Sequence, residues 1–210
     1  MTDLGERRRQ RLRSSFLYLC VGCDDQEVAA AALRGGADMV QLRDKEADDE
    51  RLLDSATRLR ELCSATGALF WVNDRPDLAV AAGADGVHVG QEDLPVAEAR
   101  TAVGADGLVG VSTHSPTQLS SALASEADQI SVGPVWATPT KEGRPAAGLD
   151  YVREAAATAG DRPWFAIGGI DAGNLAEVLE AGARRVVVVR AIRESADPEA
   201  AARALRERLG

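Results

Sequence analysis

The chain has 210 residues, 45% of them hydrophobic and 27% charged, with a formal net charge of −9 at pH 7. That is enough chain for one domain with a sizeable core, and too acidic a chain for a general nucleic-acid binder. No apolar run approaches the roughly 20 residues of a membrane span and the N-terminus lacks a secretory apolar core, so a cytoplasmic protein without membrane partners is expected.

Residues 1–14 read as a basic N-terminal helix or extension, with Arg7, Arg8, Arg9, Arg11 and Arg13 on a solvated face. From 15 to 210, short apolar runs alternate with alanine-rich helical patterns. The runs fall at 16–19, 39–42, 68–72, 86–87, 108–111, 129–130, 164–167 and 185–186. Four of them follow a similar phrase: Gly36-Ala37-Asp38, Gly83-Ala84-Asp85, Glu126-Ala127-Asp128 and Gly182-Ala183-Arg184. Where glycine leads, the phrase predicts a helix C-terminus and a short turn into a strand.

Eight strand candidates separated by helices predict a parallel sheet. A strand-helix unit about every 25 residues suits eight units. With no Gly-rich dinucleotide fingerprint after the first strand, the pattern favours a single-domain (β/α)8 TIM barrel over an open doubly wound sheet.

A barrel places its chemistry just after the strands, at one face. Gln41, Arg43 and Lys45 alternate along the second strand's end and project together. They form a receptor for a diphosphate, or else a strand leaving the core. After the third and fourth strands, Asp74 and Asp93 can converge on one Mg²⁺, although Pro76 and Leu94-Pro95 open helical patterns that either aspartate could cap. Gly168-Gly169-Ile170-Asp171 after the seventh strand, with Arg190 ending the eighth, fits a phosphate cradle.

Among the remaining candidates, His88 reads as a hydrogen-bonded interior imidazole. His114, after the fifth strand beside Ser112 and Thr113, can exchange protons, but no matched nucleophile accompanies it. Cys20 and Cys23 have the spacing of a metal or redox pair without a second pair, and Cys63 lies in a helical pattern. All three read as reduced thiols. Residues 136–149 hold Pro139, Gly143, Pro145 and Gly148, which predicts a loop that closes over ligands and carries Thr138, Thr140 and Lys141. Two anion receptors, a Mg²⁺ position and no nucleophile suit the joining of two phosphorylated small molecules with loss of diphosphate.

The chain resembles the thiamine-phosphate synthase family from end to end. The resemblance rests on Val40-Gln41-Leu42-Arg43-Asp44-Lys45, Val72-Asn73-Asp74-Arg75 and Gly83-Ala84-Asp85-Gly86-Val87-His88-Val89-Gly90-Gln91-Glu92-Asp93. It extends through Gly110-Val111-Ser112-Thr113-His114, Val132-Gly133-Pro134-Val135, Thr138-Pro139-Thr140-Lys141 and Ala166-Ile167-Gly168-Gly169-Ile170. It implies a TIM-barrel transferase that condenses hydroxymethylpyrimidine diphosphate with thiazole phosphate, giving thiamine phosphate and diphosphate. Diphosphate would leave first, and the thiazole nitrogen would capture the resulting pyrimidine carbocation.

By the same resemblance, Gln41, Leu42, Arg43, Asp44, Lys45, Asn73, Ser112 and Lys141 hold the pyrimidine diphosphate. Arg43, Lys45, Ser112 and Lys141 act catalytically. Thr138, Pro139, Thr140, Gly168, Gly169, Val189 and Arg190 hold the thiazole phosphate, and Asp74 and Asp93 bind one Mg²⁺ per subunit. Partners are the two small molecules, with no nucleic acid and a possible homo-oligomer. The chain departs from the family pattern at Val21-Gly22 (commonly Thr-Asp), Gln129 (often Tyr) and Arg190 (usually Ser). The alternatives are a thiazole tautomerase-like isomerase, which needs neither the diphosphate grip nor the metal pair, and a catalytically silent phosphate-ligand sensor.

Overall fold

The apolar runs become eight strands, β1 Leu17–Val21, β2 Met39–Leu42, β3 Leu69–Asn73, β4 Gly86–Val89, β5 Leu108–Thr113, β6 Gln129–Val132, β7 Trp164–Ile167 and β8 Val186–Val188. In this computed structural model, which describes residues 2–138 and 145–209, the strands pair in parallel and in chain order. Pairing of β8 with β1 closes the barrel. Helix α1 Asp3–Arg13 precedes β1. Helices α2 Gln26–Arg34, α3 Asp49–Thr66, α4 Pro76–Ala81, α5 Val96–Val103, α6 Pro116–Leu123, α7 Gly148–Thr158 and α8 Leu175–Glu180 follow β1 to β7 in turn. A short α9 Arg190–Arg193 and the longer α10 Pro198–Leu209 follow β8. The expected TIM barrel is therefore the fold observed. No helix among the described residues is long and apolar enough to cross a membrane.

Alternation along each strand sorts the side chains into two layers. Val40, Leu42, Phe70, Val72, Val87, Val109 and Ile130 face outward and form one buried cluster with the helices. Tyr18, Met39, Leu69, Trp71, Leu108, Phe165 and Val187 face inward, and Leu12 of α1 joins them from below. Tyr18 packs edge-on against Phe165, with ring centroids 5.7 Å apart. These side chains plug the lower half of the barrel. Above them the inward positions turn polar.

The repeated Ala-Asp phrase has a structural cause at the barrel's amino end. Asp38 Oδ2 accepts hydrogen bonds from the Phe16 and Leu17 amides at 2.8 and 2.9 Å. Asp85 accepts from Phe70 N at 3.0 Å, and Asp128 from Val109 N at 2.9 Å. Each aspartate thus satisfies the first free amide of the preceding strand, where the ladder has no partner for it. The basic helix docks on this ring. Arg8 Nε lies 2.8 Å from Asp85, and Arg9 Nε lies 2.8 Å from Asp128. The expected solvated face is accordingly correct for Arg7 and Arg13, but not for Arg8 and Arg9, which are only 16% and 19% exposed.

The predicted loop over 136–149 ends slightly earlier, because α7 starts at Gly148. Burial of Tyr151, Val152 and Ala155 draws the first turn onto the barrel, and the Tyr151 hydroxyl donates to Thr113 Oγ1 at 2.7 Å. Residues 139–144 of that loop, and with them the closing motion expected of it, lie outside the described residues.

Candidate active site

Strand β2 supplies the first wall. Gln41 points inward and donates from Nε2 to the Tyr18 hydroxyl at 2.5 Å. The Arg43 amide still pairs with Val21 O at 2.8 Å, so the extended alternation continues beyond the strand and carries Arg43 to the cavity with Gln41. Lys45, next in line, sits at the rim, 60% exposed, with Nζ 3.9 Å from Asp74 Oδ2. The in-line projection read from the sequence is thus present.

The side chains of the intervening residues, Leu42 and Asp44, are engaged elsewhere. Leu42 is 1% exposed among the outer core residues, so alternation aims it at the helices. The Asp44 carboxylate accepts from the Cys23 and Glu46 amides, each at 3.2 Å, and so fastens the β2–α3 loop to the β1–α2 loop. Burial alone would raise its pKa, but these amide bonds hold it below the ordinary value.

Asp74 and Asp93 stand on the neighbouring loops after β3 and β4. Asp74 has a left-handed backbone at φ +62°, with its amide donating to His88 O at 2.8 Å. Asp93 Oδ2 accepts from Gly90 N at 2.8 Å, and a Cβ at Gly90 would lie only 2.5 Å from that oxygen. Neither aspartate caps a helix: the cap positions of α4 and α5 are Arg75 and Pro95. The capping alternatives are therefore set aside. Burial, then a hydrogen bond shared with Asp93 and the charge of Asp93, push the Asp74 pKa up to about 6, against the pull of Lys45 and Arg43. Arg75 turns outward onto Asp77 and Asp49.

Two carboxylates held this close beside cations are a donor set for a hard divalent ion that keeps positions for substrate oxygens and water. Among the described residues, no cluster of three or more His, Cys, Asp or Glu side chains is placed to hold a metal.

Between Gln41 and Arg43 on one side and β7–β8 on the other lies a cavity of about 300 Å³. Its far wall is made by Gly168, Gly169, Val189 and Arg190, with Thr138 alongside. Gly168 and Gly169 have φ +104° and +70°. A Cβ at Gly168 would fall 2.4 Å from Pro134 Cβ, so only glycine fits this close crossing of the β6–α7 and β7–α8 loops. Val189, Arg190 and Ala191, where α9 starts, line the same space. Pro139, Thr140 and Lys141 lie outside the described residues.

Asn73, His88 and Ser112 complete the near wall. His88 is buried and hydrogen-bonded through both nitrogens, to Gln129 at 3.0 Å and Ser112 at 2.9 Å, matching the interior role expected of it. His114 reaches the cavity with Nδ1 2.5 Å from Gly133 O. The cysteines are all buried and none forms a disulfide among the described residues. Burial pushes Cys63 to about 12, and burial with the charge of Asp44 pushes Cys23 to about 11, so both stay as thiols. Sequence reasoning missed Tyr18, Cys20 and Ser131 as lining residues. The available signal was a polar side chain at an inward position of an otherwise apolar strand.

A family model described as thiamine monophosphate synthase matches residues 17–192. The chain belongs to the thiamine monophosphate synthase family. It is similar to the thiamine-phosphate synthase of Thermus thermophilus, 59% identical over 178 residues and 85% of each chain. It is likewise similar to that of Acidothermus cellulolyticus, 55% identical over 94% of this chain and 96% of the relative. Among solved structures it resembles a thiamine phosphate pyrophosphorylase from Pyrococcus furiosus, with TM-score 0.86, 31% identity and 96% of both chains covered.

Membership of the thiamine monophosphate synthase family makes the chain a transferase of thiamine biosynthesis and leaves the isomerase and sensor alternatives unsupported. At the first departure from the family pattern, Gly22 N donates to Asp25 at 2.7 Å, and Asp25 pairs with Arg193 of α9 at 3.0 Å. The β1 loop is therefore tied to α9.

Proposed function

We propose that this chain condenses 4-amino-2-methyl-5-hydroxymethylpyrimidine diphosphate with 4-methyl-5-(2-phosphoethyl)thiazole, releasing diphosphate and thiamine phosphate in the cytoplasm. The observation that supports this reading is a cavity lined by Gln41, Arg43, Asn73 and Ser112 on one side and by Gly168, Gly169 and Arg190 on the other, with Asp74 feeling the charges of Arg43, Lys45 and Asp93. Gln41, Arg43, Lys45, Asn73 and Ser112 grip the pyrimidine diphosphate. Thr138, the Gly168 and Gly169 amides, Val189 and Arg190 hold the thiazole phosphate.

Asp74 and Asp93 fit one Mg²⁺ per subunit, since two facing carboxylates are stable as anions only when a cation lies between them. When bound, the ion supplies positive charge to the departing diphosphate. Arg43 and Lys45 add fixed cations to the same leaving group. The reaction needs no protein nucleophile. Incubation of the purified chain with both substrates and Mg²⁺ should yield thiamine phosphate and diphosphate in equal amounts. Release of diphosphate without thiamine phosphate, or no turnover, would refute the assignment.

A further inference from the structure

Three strands deliver one hydrogen-bonded chain to the wall of the cavity. The pairing register sets His88 of β4, Gly110 of β5 and Gln129 of β6 in one inward layer, with Ser112 and Ser131 paired in the next. Ser112 Oγ lies 2.9 Å from His88 Nε2, and His88 Nδ1 lies 3.0 Å from Gln129 Oε1. Gln129 Nε2 in turn donates to Ser131 Oγ at 3.0 Å. All four side chains are at least nine-tenths buried, Gln129 completely. Gly110 leaves the room they need, because a Cβ there would fall 2.4 Å from His88 Nδ1 and 2.5 Å from Gln129 Oε1.

The chemistry gives this chain a direction. An amide oxygen only accepts, so the Nδ1 that faces it carries the proton, and the neutral ring offers Nε2 as an acceptor. The Ser112 hydroxyl then donates to His88 and presents its oxygen to the cavity. We propose that Gln129 is a positioning residue. It holds His88 in the Nδ1–H tautomer and thereby fixes Ser112 as a hydrogen-bond acceptor for an N–H of the bound pyrimidine, where positive charge develops as diphosphate leaves. The aminopyrimidine supplies such a donor, whereas a phosphate oxygen does not. This inference rests on the transferase reading above, but the tautomer is read without substrate, so the two fail separately.

The chain has two histidines, so ¹⁵N-imidazole spectra of the whole protein report both, and His114→Asn assigns them. His88 should show a protonated Nδ1 and an unprotonated Nε2. Gln129→Met keeps the side-chain length, removes the acceptor, and should shift His88 toward the Nε2–H form that predominates in water. Its kcat should fall about tenfold with the KM for thiazole phosphate unchanged, and less than about twofold when Ser112→Ala is already present. An Nε2–H tautomer in the unaltered protein overturns the proposal even if Gln129→Met does not fold. Equal losses of kcat from Gln129→Met with and without Ser112→Ala overturn it as well.

Discussion

Replacing Asp74 with asparagine should stabilise the metal-free protein while abolishing its activity. Asp74 is held at about 6 against an ordinary 3.8, first by burial and then by Asp93. A carboxyl whose pKa is raised on folding binds more protons folded than unfolded. Its favourable contribution is present below the unfolded pKa and lost as pH rises through the folded one. With each tenfold change in proton affinity equal to about 1.4 kcal/mol, the ionised pair costs up to about 3 kcal/mol above pH 6. The side chain keeps 23% exposure, so about 1 to 3 kcal/mol is the expected range.

Asparagine removes the charge, can donate to Asp93, and tolerates the left-handed backbone at φ +62°. Thermal unfolding in chelator should show Asp74→Asn melting roughly 2 to 10 °C higher at about pH 7.5, with the difference shrinking below about pH 6 and vanishing only below the unfolded value of 3.8. Turnover with Mg²⁺ and both substrates should fall at least about a hundredfold. A Tm difference independent of pH, or a variant less stable at neutral pH, would refute the reasoning.

Three further outcomes are expected. Arg43→Ala should mainly reduce kcat and raise the KM for pyrimidine diphosphate, whereas Arg190→Ala should mainly raise the KM for thiazole phosphate; steady-state kinetics with each substrate varied would expose equal effects on both. Gly168→Ala must place a methyl group within 2.4 Å of Pro134 Cβ at φ +104°, so urea unfolding should show a loss of about 2 to 4 kcal/mol and wild-type stability would refute the close crossing. Asp128→Ala strands Arg9 and Arg100, 19% and 13% exposed, and frees the Val109 amide. It should therefore cost about 3 to 5 kcal/mol in urea with kcat of the folded enzyme unchanged.

Local chemistry made much of this protein legible in advance. Period-two alternation can be read from residue order alone, so Gln41, Arg43 and Lys45 could be aligned before any contact was known. The spacing of apolar runs likewise supports eight strand-helix units, and polar groups just after strands mark the working face of a barrel. Glycines at Gly168 and Gly169 carry their backbone requirement in their identity.

What pairs across the barrel depends on closure and register, which no local pattern encodes. Asp38, Asp85 and Asp128 look like turn residues in the sequence, and only the folded ring shows them receiving the Leu17, Phe70 and Val109 amides near the starts of β1, β3 and β5. Arg8 and Arg9 read as solvent-facing because their acidic partners lie 77 and 119 residues away. The bonds from the Cys23 and Glu46 amides to the Asp44 carboxylate likewise depend on how the loops meet. Asp74 and Asp93 could each have been a helix cap; only the tertiary structure brings their carboxylates together, where burial and the charge of Asp93 raise the pKa of Asp74.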